Sequence, residues 1–128
     1  MSIRPVSHLA LTPTDKAITI TADDRDPQAG NMSHDYVVTF AAPEDGQPQM
    51  DPVRLHFQHG PIKECGVNGI TNEVLLALVI DRLEGAQQGP FACDDNATAI
   101  EFCRGASEAL AKRTRDRIAR GVEGQSKA

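Results

Sequence analysis

Apolar positions change their period about halfway along the chain. In residues 1–58 they alternate with polar ones. Ala17-Ile18-Thr19-Ile20-Thr21, Tyr36-Val37-Val38-Thr39-Phe40 and Val53-Arg54-Leu55-His56-Phe57 are short runs of β-branched and aromatic residues. In the third, Val53, Leu55 and Phe57 fall on one face. Residues 22–31 are rich in Asp and Gly, and residues 42–52 in Pro, Glu, Asp and Gly, which makes them turns. The pattern predicts three short strands in a small antiparallel sheet. Such a sheet is marginal alone, so it is expected to pack on the helices that follow.

From Val74 to Ile80 every position is apolar, and Leu83 follows. A helix there is apolar on more than one face and needs two neighbours. Thr71 is placed to cap it and Glu73 to meet the positive end of its dipole. Gln87-Gln88-Gly89-Pro90 supplies the next turn. A second, longer helix is predicted over residues 94–121, capped by Asp94 or Asp95 and stopped by Gly121, with Ile100, Cys103, Ala106 and Leu110 as its core stripe. Gly105, Ser107, Ala109 and Ala111 keep it slim enough for close approach of another helix. Two helices joined by a short turn form an antiparallel hairpin. The fold class is therefore α+β: a small N-terminal antiparallel β-sheet over 1–58, a C-terminal antiparallel two-helix hairpin over 59–124, and a tail at 125–128. At 128 residues these are expected to make one compact domain. With four Phe, one Tyr and no Trp the core is aliphatic and thin, which favours self-association into an oligomer.

Charge adds a functional hint. The whole chain carries −5. Residues 112–120 hold Lys112, Arg113, Arg115, Arg117 and Arg120 against Asp116, a local +4, which leaves −9 for the remainder. An acidic body argues against binding nucleic-acid polymers, which rests on neutralising many phosphates. A local basic patch suits a small anion. Arg113, Arg117 and Arg120 recur at i, i+4 and i+7 and so share a helix face, while Arg115 points elsewhere. Cations near a helix C-terminus interact favourably with its dipole. The shared face, and the choice of Arg over Lys, fit bidentate phosphate binding. Asn96 begins the same helix, far from the arginines within one chain, and antiparallel packing of a second subunit would bring them together.

Other chemistry is sparse. Cys65, Cys93 and Cys103 are odd in number and lack C-x-x-C spacing, which reads as free thiols in a reducing compartment. His8, His34, His56 and His59 lack metal-ligand spacing, so no metal site is expected; they read as surface or capping histidines. No nucleophile–base set stands out, so no catalytic residues are assigned. Arg4, His8 and Thr12 interrupt any apolar run near Met1, and no stretch reaches membrane-spanning length, so a soluble, cytoplasmic protein without a membrane partner is expected. The Gly66–Thr71 loop, with Gly66, Asn68, Gly69 and Thr71 before a helix, can present backbone N–H groups to an anion, although glycines are also ordinary turn residues.

The stretch from Phe57 to Gly124, about half the chain, contains GVNGITNE, IDRL, GPFAC and ARGVEG. In combination these resemble the helical-hairpin domain of phage anti-Thoeris sponges, the Thoeris anti-defence one family, a hairpin shared with anti-CBASS sponges. The resemblance implies a protein without enzymatic activity or cofactor, acting in the cytoplasm of an infected bacterium. It implies sequestration of cyclic ADP-ribose isomers and, for some members, of cyclic di- or trinucleotides at separate sites, by homo-oligomers that are dimers or hexamers. It places Asn96, Arg113 and Arg117 in the cyclic ADP-ribose pocket and makes Gly66, Asn68, Gly69 and Thr71 candidates for a second site; Arg120, on the shared helix face, and Ala86 and Phe91, at or near the stacking position, are further candidates for the first. Replacing Arg113 or Arg117 by Ala is expected to weaken binding with the fold intact. Ala86 stands where the family usually carries a stacking Phe, a loss of about 1–3 kcal/mol. Phe91, Tyr36 and Phe102 are the alternative stacking surfaces. Asp94-Asp95 replaces the family's usual Arg-Glu. The rival readings are a hydrolase of the same signals and a structural or protein-binding phage component.

Overall fold

A computed structural model describes residues 2–44, 46–122 and 124–125. Residues 126–128 of the expected tail lie outside the described residues. The chain forms two compact units, residues 1–60 and 61–128.

The first unit is a four-stranded antiparallel meander of β1 (Ile3–Val6), β2 (Ile18–Asp23), β3 (Asp35–Phe40) and β4 (Val53–His56), in that order across the sheet. A short helix α1 (Pro13–Lys16) is capped by the Thr12 hydroxyl, which accepts from the Asp15 N–H at 3.1 Å. The predicted sheet is present, but with four strands instead of three. The missing one, Ile3-Arg4-Pro5-Val6, contains a proline that speaks against a central strand; β1 is an edge strand, where a missing N–H is tolerated. The register pairs Ile18 with Phe40, Ile20 with Val38 and Ala22 with Tyr36, then Tyr36 with Leu55 and Val38 with Val53. All these residues share one face. The other face carries Thr19, Thr21, Val37, Thr39, Arg54 and His56, polar except for Val37, close to the division expected of an antiparallel sheet wetted on one side. Tyr36 and Phe57 meet edge-on with ring centroids 5.3 Å apart.

The second unit holds α2 (Ile62–Cys65), α3 (Asn72–Gln87) and α4 (Asp94–Ala119). Thr71 caps α3 as predicted, its hydroxyl accepting from the Val74 N–H at 3.3 Å. The α4 cap differs from the prediction. Cys93 takes the extended N-cap conformation, and Asp94 and Asp95 lie in the first turn, where they still meet the helix dipole. The start is set from α3: Gln87 donates to the Cys93 carbonyl at 3.0 Å and accepts from its N–H at 2.9 Å. The core stripe of α4 also shifts. Ile100 is buried and Cys103 and Leu110 are half-buried, but Ala106 is exposed and Ser107 turns inward, donating to the Cys103 carbonyl at 3.0 Å. The stripe steps four residues after Cys103, because 3.6 residues per turn alternates steps of three and four.

Burial is shallow throughout: among the described residues only Ala22 and Ile100 are buried apolar residues, and no side chain is completely enclosed. On α3, Leu75, Leu76, Ile80 and Leu83 are half-buried while Val74, Leu78 and Val79 stay exposed, so within one chain the doubly apolar helix has only one face covered. Among the described residues, no helix is long and apolar enough to cross a membrane.

Helix α4 ends in a paired-bond C-cap. Gly121 adopts φ +71°, its N–H bonds the Ile118 carbonyl at 3.0 Å, and the Val122 N–H bonds the Arg117 carbonyl at 3.0 Å. Gly121→Ala is expected to cost about 1 kcal/mol, because a Cβ disfavours this left-handed conformation. A thermal melt should show a midpoint a few degrees lower; an unchanged midpoint would contradict this cap geometry.

Candidate functional site

Helix α4 is ten residues longer than α3, 26 against 16. Its last ten residues therefore run roughly 15 Å beyond the length α3 can cover. That overhang carries the basic stretch. Ala109, Lys112, Arg113, Asp116, Arg117 and Arg120, all from this one helix and its cap, line a wide-open groove on its surface. The three arginines predicted to share a face are therefore brought together.

Their circumstances differ. Lys112 is paired with Asp116 at 2.9 Å and Arg115 with Glu108 at 3.2 Å. Among the described residues, the guanidinium groups of Arg113 and Arg120 have no ion-pair or hydrogen-bond partner, and both residues are exposed. Arg117 is half-buried and donates through Nη2 to the carbonyls of Val122 at 3.0 Å and Gln125 at 2.9 Å. It thereby folds the segment after α4 into a hook. The Lys63 N–H of α2 bonds the Gly124 carbonyl at 3.3 Å, and a Cβ on Gly124 would lie 2.9 Å from Lys63 Cγ, so the hook also rests on α2. Arg117 is thus a structural residue as well as a groove residue.

Asn96, Ala86 and Phe91 form a separate group at the hairpin turn. Asn96 Nδ2 donates to the Phe91 carbonyl at 3.0 Å, Ala86 is half-buried at the end of α3, and the Phe91 ring is 79% exposed. Asn96 and Arg113 are seventeen residues apart on one helix, about 25 Å. Within one chain the predicted pocket is therefore split between the two ends of α4. Of the other stacking candidates, Tyr36 lies in the sheet and Phe102 is 76% exposed on α4. Phe102, exposed Ala106 and Ala109 continue the helix face that bears Arg113 and Arg120, giving an apolar strip that runs into the cationic groove.

The second-site candidates are divided by role. Thr71 has its hydroxyl committed to the α3 cap. Gly66 ends α2 with φ +72° and bonds Ile62 O at 2.8 Å; Asn68 is exposed and Gly69 half-buried. Lys112, Asp116 and Ala109 were not singled out as groove residues from sequence. Their spacing of one, three and four positions from Arg113 was the available signal.

Comparison with known proteins adds an independent line. No family model matches the chain. It is similar to the curated protein "Thoeris anti-defense 1" of Bacillus phage SBSphiJ7, with 36% identity over 124 residues, covering 80% of this chain and 84% of the relative.

Proposed function

Because the chain belongs to the Thoeris anti-defence 1 family, we propose that it blocks host immune signalling by binding a small cyclic nucleotide and holding it unchanged. The favoured ligands are cyclic ADP-ribose isomers, with cyclic oligonucleotides as a second class. The observation that carries this reading is the groove at the α4 overhang. Once Lys112 and Asp116 neutralise each other, three guanidinium groups remain, two of them without partners among the described residues. That charge and fork geometry suit the diphosphate of a cyclic dinucleotide-like signal, and the Phe102–Ala109 strip offers an apolar surface beside it.

A second copy, laid antiparallel along α4, would add Asn96, Ala86 and Phe91 to the arginines and cover the exposed apolar positions of α3. This is the role we assign to homo-oligomerisation, as a dimer or a hexamer. A protein that works by lowering free signal without turnover must bind tightly: nanomolar affinity is about −12 kcal/mol. Several charge-assisted hydrogen bonds, each about 1.5–3 kcal/mol, together with base burial reach this if the oligomer holds the site ready. The place of action is the cytoplasm of the infected bacterium.

The decisive experiment is incubation with a cyclic ADP-ribose isomer followed by heat denaturation. Intact ligand should be recovered in stoichiometric amount. Recovery of a cleaved product would replace this reading by a hydrolase, and absence of bound ligand across a panel of cyclic nucleotides would leave a structural or protein-binding role.

A further inference from the structure

We propose that Asp26, His34 and His59 bind one divalent transition-metal ion of the zinc class in the sheet unit. Asp26 and His34 flank the loop between β2 and β3, His59 follows β4, and the meander brings all three to one end of the sheet. Antiparallel pairing places the end of β2, the start of β3 and the end of β4 together, as the Asp35–His56 pairing shows.

The donor atoms stand at metal-binding separations. Asp26 Oδ2 is 3.5 Å from His34 Nε2 and 3.4 Å from His59 Nε2, and all three atoms lie within 4.8 Å of one another. Ligands about 2.0–2.1 Å from a tetrahedral ion are themselves about 3.3 Å apart. These gaps lie within ion-pair range but exceed the length of short charge-assisted hydrogen bonds, about 2.7–2.9 Å. One carboxylate oxygen therefore faces two imidazole nitrogens with room for an ion between them. Two histidines and one carboxylate are an ordinary zinc ligand set that leaves a position open for water or a small ligand.

His34 supplies the observation that a surface cluster would lack. Its side chain is only 6% exposed, and its buried Nε2 has no hydrogen-bond partner among the described residues. Buried polar atoms are normally satisfied, and each exception calls for a reason. The His34 backbone is anchored as well: its N–H donates to Asp23 Oδ1 at 3.0 Å, and its carbonyl accepts from the Phe57 N–H at 2.7 Å. The His59 ring stacks on His34 at 3.9 Å between centroids and 10° between planes, so both Nε2 atoms face the same carboxylate. The stacked rings hold their Nε2 lone pairs in nearly parallel planes, so sharing one ion requires one ring, the half-exposed His59, to turn out of the stack.

The setting favours a cation. The surrounding cavity, about 300 Å³, is lined by Asp23, Asp24, Asp26 and Asp35 with Arg25 as its one guanidinium. Three of those carboxylates have other tasks: Asp23 accepts from the N–H groups of His34 and Asp35, Asp24 from the Ser2 N–H, and Asp35 pairs with His56 at 2.6 Å. They contribute negative potential and leave Asp26 as the carboxylate ligand. An ion here would tie the β2–β3 loop to the exit of β4 and stabilise the sheet unit.

The test uses the full chain stripped with EDTA and then titrated with Co²⁺ and Zn²⁺. One ion per chain is expected, with visible d–d absorption of a four-coordinate cobalt site, no thiolate charge-transfer band, and a melting midpoint several degrees higher in the presence of zinc. His59→Ala should weaken zinc binding at least about tenfold and remove the zinc-dependent rise in midpoint; Asp26→Asn provides an isosteric second variant. Binding that persists undiminished in both variants, a thiolate band that assigns the ion to the cysteines, or the absence of stoichiometric binding would each overturn the proposal.

Discussion

Arg113→Glu is expected to lower affinity for a diphosphate-bearing cyclic nucleotide by about a hundredfold or more, with the melting temperature unchanged. Arg113 is exposed and without a partner among the described residues, so removing it breaks nothing in the fold described here. In the proposed complex its fork holds phosphate oxygens. Losing a bidentate contact of about 3 kcal/mol corresponds to roughly a hundredfold in affinity. The reversed charge adds repulsion, since the groove falls from three excess positive charges to one. Arg113→Lys keeps the charge but not the planar fork and should fall between the two. Calorimetry with cyclic ADP-ribose isomers gives the answer, and wild-type affinity in Arg113→Glu would remove the groove from the binding site.

Arg117→Ala is expected to act on two readouts. Its guanidinium holds the carbonyls of Val122 and Gln125, and its truncation leaves both without that donor. Bonds of this kind to a charged group contribute about 1.5–3 kcal/mol. The melting midpoint should therefore drop by several degrees, and amide exchange should rise at Gly121, Val122, Gly124 and Gln125 as the hook loosens. Ligand affinity should fall as well, because Arg117 lines the groove. Fold-neutral weakening, expected from sequence for both arginines, is thus retained for Arg113 and replaced for Arg117 by a coupled loss of stability and binding. A variant with unchanged midpoint and unchanged exchange would show that the hook does not depend on this side chain.

The contrast between these two arginines marks the limit of what spacing can convey. Positions i, i+4 and i+7 put Arg113, Arg117 and Arg120 on one face because helix geometry is local, and the groove follows from it. Which guanidinium is already occupied depends on where the chain goes after Gly121, and no periodicity encodes that path.

The amino-acid sequence by itself determined the alternating N-terminal half, the Thr71 cap, the long α4 with its stop at Gly121, the clustered basic charge and the family resemblance. Each rests on residues within a turn or two of each other, or on a run of motif residues. The tertiary structure alone decided the edge strand with Pro5, the Gln87 grip that starts α4 at Cys93, the hold of Arg117 on the segment after Gly121, and the meeting of Asp26, His34 and His59. These depend on strand register, helix packing and the path of the loops, none of which is carried by a local period. A scattered set of histidines therefore looked inert along the chain and becomes a candidate ligand set only when the meander closes one end of the sheet.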